Sequence, residues 1–232
     1  MSSSEDEISR ASIEAHALDR QLQDRLDLLS AQPGPGQLIY DRLVARLTKA
    51  GAGAQAPEIG GQIPDFILPD DRGRLVGLDE LLTDGPLVLS LNRGHWCGYC
   101  KLELRNLAAI CPAVEQLGAR IVSIIPEKQR YAAQLKAENG LDFSVLTDLD
   151  NAYALSLGLM IWVGSEGKSR YQTLGLDLSR FQGNDGWFLP IPATFVIGPG
   201  RVIAARFVEA DFRRRMASEA ILDALETLAA KR

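Results

Sequence analysis

Asn92-Arg93-Gly94-His95-Trp96-Cys97-Gly98-Tyr99-Cys100-Lys101 is the stretch on which the reading of this chain turns. Its surroundings matter more than its spelling. Pro86-Leu87-Val88-Leu89-Ser90-Leu91 leads in, a continuous apolar run bounded by turn signals. Such a run suits a central strand covered on both faces. Beyond the cysteines, Leu104, Leu107, Ile110, Val114 and Leu117 recur at helical spacing and mark the apolar stripe of a helix. The two cysteines therefore fall where a strand turns into a helix. A helix N-terminus presents unpaired N–H groups and the positive end of the helix dipole. Both favour a thiolate, the reactive form of cysteine. The i, i+3 spacing puts the two sulfurs on one side of the first turn, where they can meet. Arg93, His95 and Lys101 add cationic or titratable groups.

A structural zinc site is the rival chemistry, and it wants four ligands. His95, Cys97 and Cys100 offer three. Cys111 lies eleven residues further along the same expected helix, roughly 16 Å away at the helical rise. It is too far to complete that shell or to bridge to Cys100, and it reads as a buried filler. A structural or vestigial pair is the third possibility. His16 lies far from the site in sequence, and no phosphate-binding glycine loop or local Ser/His/Asp signature is present. The site is expected to hold no metal and no cofactor.

Working outward, residues 5–30 show Ile8, Ala15, Leu18, Leu22 and Leu29 at helical spacing among charges. Gln32-Pro33-Gly34-Pro35-Gly36 breaks the chain, and a second short helix is expected over residues 37–50. The partition is an N-terminal helical extension (1–50), a small-residue linker (51–61) and a redox domain (62–232). In that domain the order is βαβα and then ββα, with Ala193-Thr194-Phe195-Val196-Ile197 as a late strand. That order calls for an α/β fold, a mixed central sheet with helices on both faces. Residues 160–190 read as irregular. Arg213-Arg214-Arg215 reads as a solvated helix start.

The net charge of −5 argues against nucleic acid as a partner. No apolar run reaches the roughly 20 residues that span a bilayer. The polar, acidic start Met1-Ser2-Ser3-Ser4-Glu5-Asp6-Glu7 is unlike a secretory signal, so the expected compartment is the cytoplasm. In a reducing compartment a close cysteine pair points to catalysis or metal binding before structure.

Trp96-Cys97-Gly98-Tyr99-Cys100-Lys101 resembles the thioredoxin active-site motif, with Tyr99 where thioredoxin has proline. The wider pattern resembles the peroxiredoxin-like alkyl hydroperoxide reductase/thiol-specific antioxidant (AhpC/TSA) family of the thioredoxin superfamily. The matching blocks are Ile63-Pro64-Asp65-Phe66-Ile67-Leu68-Pro69-Asp70, the run from Arg93 to Leu104, and Ile191 to Ile197. The resemblance spans about residues 60 to 230 and implies a thioredoxin-like fold. Classical peroxiredoxins carry Thr/Ser-x-x-Cys, which would make Cys100 the peroxidatic residue and Cys97 its partner. They also carry an arginine shortly before the late strand, a place that holds Pro192 here. Pro192 is instead similar to the cis-proline of thioredoxins. The buried aspartate of thioredoxins is replaced by Leu91, leaving Glu103 as the nearest acid.

The resemblance thus implies a thiol-disulfide oxidoreductase cycling Cys97 and Cys100 between dithiol and disulfide. The alternatives are a hydroperoxide-reducing peroxidase and a redox-inert binding module. Electrons would come from a thioredoxin-like protein or a small thiol. Cys97 is expected to be the exposed nucleophile, with Trp96, Tyr99, Arg93, His95, Glu103 and Pro192 in support. The Ile191–Pro192 bond is expected to be cis. Trp187 and Ile191, with Phe188 and Tyr171, are the expected substrate-facing residues. The N-terminal helices are expected to dock on this domain or on a second copy in a homodimer.

Overall fold

The structure, a computed structural model, describes residues 20–22, 24, 27 and 35–231. Most of the expected first helix, His16 included, lies outside the described residues. Arg20, Gln21, Leu22, Asp24 and Asp27 are helical. Helix α1 follows over Pro35–Lys49. A small hairpin of β1 (Ile67–Pro69) and β2 (Leu75–Gly77) leads into α2 (Leu78–Leu82).

The centre is a five-stranded mixed sheet. Strands β3 (Leu87–Leu91), β4 (Arg120–Ile125) and β5 (Ser144–Thr147) run parallel. Helices α3 (Gly98–Gln116) and α4 (Gln129–Asn139) connect them. Strand β8 (Ala193–Ile197) pairs antiparallel with β3, and β9 (Ile203–Val208) pairs with β8, giving the order β5-β4-β3-β8-β9. A final helix, α8 (Ser218–Ala229), closes one face.

Successive side chains of a strand point to opposite faces, and the two cores obey this. Val88 and Val196 join α3, α4 and α8 in one cluster. Leu87, Leu89, Leu91 and Phe195 join Ile63, Phe66 and Leu78 in the other. The same alternation puts Ser90 on the α3 side, in register with Ser123 of β4 and Thr194 of β8. Three adjacent buried strands thus each carry one hydroxyl toward α3.

Helix α5 (Ala152–Ser156) follows β5, and the segment expected to be irregular, 160–190, is ordered into β6 (Met160–Trp162), α6 (Gly164–Thr173), α7 (Leu178–Gln182) and β7 (Phe188–Pro190). β6 and β7 pair antiparallel. Helix α6 has little apolar periodicity to read, and tertiary packing against α1 compensates: Val163, Gly167 and Tyr171 are buried, and Arg46 donates to the Trp162 carbonyl at 2.7 Å. The arginine run is corrected too. It lies in a loop before α8, which begins only at Ser218, and Arg215 is buried. Residues 51–61 lie along β9: Arg206 donates to the carbonyls of Ala56 and Pro57, and Gly60 N–H donates to Ile203.

No helix among the described residues is long and apolar enough to cross a membrane.

Candidate active site

The two cysteines sit at the C-terminal end of β3, where the chain turns into α3. Cys97 is the N-cap, with extended backbone (φ −79°, ψ 109°), and its sulfur accepts the Cys100 N–H at 3.3 Å. A sulfur thus stands where Ser, Asp or Asn usually caps a helix. Both thiols are free in this structure. The Cys100 sulfur accepts from the Arg93 backbone N–H at 3.5 Å and from Arg215 Nη2 at 3.4 Å. The expected exposure of Cys97 at the helix tip is not what is found: Cys97 is 2% exposed and Cys100 0%. Leu22, Leu43, Leu47 and Phe212 pack with the pair in one cluster.

Burial works against ionisation of Cys97. It is outweighed by the Cys100 thiol bonded to its sulfur, by the Arg93 and Arg215 charges and by the Cys100 N–H, and the pKa falls to about 6. Burial and the neighbouring Cys97 sulfur push Cys100 the other way, well above the ordinary thiol range. The pair therefore divides into a thiolate and a thiol near neutrality. Cys111, buried beside Glu115, is pushed up to about 11 and is inert by comparison.

Arg93 is itself buried. Its guanidinium carbon lies 3.9 Å from the Phe212 ring centre and 5.3 Å from that of Trp96, and Nη2 bonds the Tyr171 hydroxyl. Arg215 reaches the site from the loop after β9. It bonds Glu103 through Nε and the Phe212 carbonyl through Nη1 at 2.5 Å. Glu103 is no solvated helix residue. It lies over the hydroxyl row, and its Oε1 accepts from Ser90 and Thr194 at 3.1 Å each. Asn92 extends the chain of bonds, donating to Ser90 at 2.7 Å and Ser123 at 3.2 Å.

His95 faces the other way. Its ring nitrogen Nδ1 lies 3.0 Å from both oxygens of the buried Glu127, and its backbone N–H donates to Glu127 Oε2 at 2.8 Å. Tyr131 stacks on the ring at 4.6 Å. Gly94 has φ +141°, and a Cβ there would meet Glu127 Oε1 and Trp96 Nε1, each at 2.7 Å. Only glycine lets the carboxylate and the indole approach the turn this closely.

The remaining expected residues are placed differently. Trp187 and Ile191 are each 2% exposed and offer no free surface. Trp187 packs with Tyr171 in one cluster, so it supports the residue that holds Arg93. Phe188, in β7, is partly buried, and its carbonyl accepts from Gln182 at 2.7 Å. The bond before Pro192 is trans, as are all peptide bonds among the described residues. The Ile191 N–H donates to Leu159 at 2.8 Å and Ala193 opens β8, so the chain passes straight from one strand to the next.

The family model described as AhpC/TSA matches residues 59–206, well over half of the chain. The chain belongs to the AhpC/TSA family. Among the relatives of this AhpC/TSA chain, the thiol-disulfide oxidoreductase ResA of Bacillus subtilis is 28% identical over 123 residues, covering 50% of this chain and 68% of that protein. The crystal structure of the peroxidoxin BcpB of Mycobacterium tuberculosis superposes with a TM-score of 0.58 at 22% identity, over 74% of this chain and 98% of that one. Enterococcus faecalis AhpC gives the same TM-score at 14% identity, over 75% and 95%. The structural likenesses establish the thioredoxin-like fold of this AhpC/TSA chain.

Sequence reasoning missed Arg215, Phe212, Glu127 and the hydroxyl row. Only the last had a legible signal: Ser90, Ser123 and Thr194 are single hydroxyls inside otherwise apolar strands.

Proposed function

We propose that the protein exchanges two electrons through Cys97 and Cys100, with Cys97 as the attacking thiolate and Cys100 as the resolving thiol. As a member of its family the chain is a thiol-dependent oxidoreductase. The observation that carries the assignment of roles is the Cys97 sulfur at the α3 N-cap, bonded by the Cys100 N–H and sharing its surroundings with Arg93 and Arg215. The Cys97 thiolate attacks one sulfur of a substrate disulfide and expels the other as a thiolate, which takes the Cys100 proton. Arg215, 3.4 Å from the Cys100 sulfur, stabilises the charge that develops there. Cys100 then attacks Cys97, the second substrate thiolate leaves and takes a proton from solvent, and the Cys97–Cys100 disulfide remains. A thioredoxin-like protein or a small thiol returns the two electrons, which suits the reducing cytoplasm.

A second reading has its own support, the convergence of the Arg93 N–H and Arg215 on Cys100. There Cys100 gives up its proton, its thiolate attacks the terminal oxygen of a hydroperoxide, the O–O bond breaks, and the alkoxide leaves with that proton as an alcohol, so that Cys100 becomes a sulfenic acid. Cys97 condenses with the sulfenic acid and releases water. Iodoacetamide trapping against pH separates the two. The acidic titration should persist in Cys100→Ser and vanish in Cys97→Ser. The reverse result, with a sulfenic acid trapped on Cys100 of Cys97→Ser after peroxide, overturns the first reading in favour of the second.

A further inference from the structure

Both sulfurs are buried in the reduced protein, yet one of them must meet a substrate. What covers them is not the redox domain alone. Leu22, Leu43 and Leu47 come from the N-terminal helical segments and share one buried cluster with Cys97, Tyr99, Cys100 and Phe212. Tyr40, also on α1, packs edge-on against Phe212 at 5.7 Å and tilted against Tyr171 at 6.2 Å. These are two of the three rings around the Arg93 guanidinium, Trp96 being the third. Helix α1 is therefore a wall of the site.

The fastenings of that wall are of a different kind from its inner face. Asp41 pairs with Arg213 at 2.6 Å, Arg42 pairs with Glu166 at 3.1 Å, and Arg46 donates to the Trp162 carbonyl at 2.7 Å. The Asp41 and Glu166 side chains are 47% and 63% exposed. Pairs of that exposure contribute little each and are screened by salt. At its C-terminal end α1 stops at a tight reversal in which Gly51 takes φ +63° and Ala52 N–H bonds the Leu47 carbonyl. A helix with an apolar face on the site, weak polar fastenings at its rim and a reversal at one end has the parts of a hinged cover.

We propose that α1 forms a lid that determines which substrates reach Cys97, admitting small reagents in its closed and breathing states and bulky ones only when its polar fastenings, the Asp41–Arg213 and Arg42–Glu166 pairs among them, release. The proposal rests on Cys97 as the nucleophile, and it goes beyond that role by assigning the selecting step to the N-terminal segment. The latch and the chemistry share one loop: Arg213 holds Asp41, and Arg215, two residues on, holds Cys100 and Glu103. Displacing α1 also removes Tyr40 from the rings that enclose Arg93, so the same motion opens a path to the cation.

The test uses the full, reduced chain and compares two probes, iodoacetamide and a maleimide carrying a polyethylene glycol chain. Asp41→Asn with Glu166→Gln cuts both ion pairs and leaves the Arg46–Trp162 bond and the apolar contacts in place. Two exposed pairs should raise the bulky probe's rate about fivefold and leave iodoacetamide within about twofold. Raising the salt concentration in the wild type should act in the same direction. Hydrogen exchange of the α1 amides, measured on the same samples, should speed up in parallel. Faster α1 exchange with an unchanged bulky-probe rate would overturn the lid, and so would equal rates for the two probes in the wild type once each is divided by its rate with a free small thiol. Peptide mapping keeps the underlying reading separate. If the accelerated label lands on Cys100, the lid stands and the assignment of Cys97 as nucleophile fails.

Discussion

Lowering the pH from 8 to 5 should weaken the reduced protein by a predictable amount, and the weakening should trace to one sulfur. Cys97 ionises at about 6 in the folded chain against 9.0 for the unperturbed thiol. A group whose folded pKa is depressed contributes stability above its unfolded pKa and loses it as the pH falls through the folded one. For these two values the linkage relation gives a loss of roughly 1 kcal/mol between pH 7 and pH 5, and roughly 3 kcal/mol between pH 8 and pH 5. Cys100, raised by burial and by Cys97, acts above the unfolded value instead: there the unfolded chain ionises it and the folded chain does not. The Cys97 contribution therefore stands clear of it between pH 5 and 8. Urea unfolding of the fully reduced protein at pH 5, 6, 7 and 8 measures the slope, with Cys97→Ser as the reference that subtracts the ordinary carboxylates. A wild-type curve parallel to that of Cys97→Ser across this range would refute the argument, because the thiolate would then gain nothing from Arg93, Arg215 and the helix terminus.

Three further variants probe the framework around the pair. Glu103→Gln leaves the buried Arg215 without its carboxylate and should cost about 3–5 kcal/mol in urea unfolding. Glu103→Met combined with Arg215→Met should cost less than that single change; a double variant weaker than the single one would show that the pair is worth more than its desolvation. Gly94→Ala forces a Cβ into Glu127 and Trp96 at a backbone angle that favours glycine, so a loss of about 1–3 kcal/mol is expected by the same measurement, and a neutral variant would contradict the packing described for the turn.

The strand, the turn and the helix that carry the cysteines were legible because each has a local signature. The apolar run of β3 is bounded by turn residues, and the α3 stripe repeats at helical spacing over several turns. The hydroxyls of Ser90, Ser123 and Thr194 were legible as exceptions in apolar strands, although their common target was not. Arg215 was hidden for a physical reason. Three consecutive arginines in a polar segment carry every local mark of a solvated run, and the carboxylate that buries one of them lies 112 residues away. Pair interactions over that distance leave no trace in spacing or periodicity. The expected exposure of Cys97 failed for a related reason: the cover is supplied by α1, whose Leu43 and Leu47 show an apolar face but not what it faces. Helix α6 escaped notice because its glycines and polar residues have little helical period of their own.

The separation of Arg215 from Cys100 also orders events in time. The sulfur and this guanidinium are 115 residues apart in the chain. At translation rates of about 5–20 residues per second, Cys100 precedes Arg215 from the ribosome by roughly 6–23 s. Throughout that interval the growing chain carries two thiols and lacks one of the cations that draw their ionisation apart. The division of the pair into a thiolate and a thiol is thus complete only when the loop that carries Arg215 settles against α3.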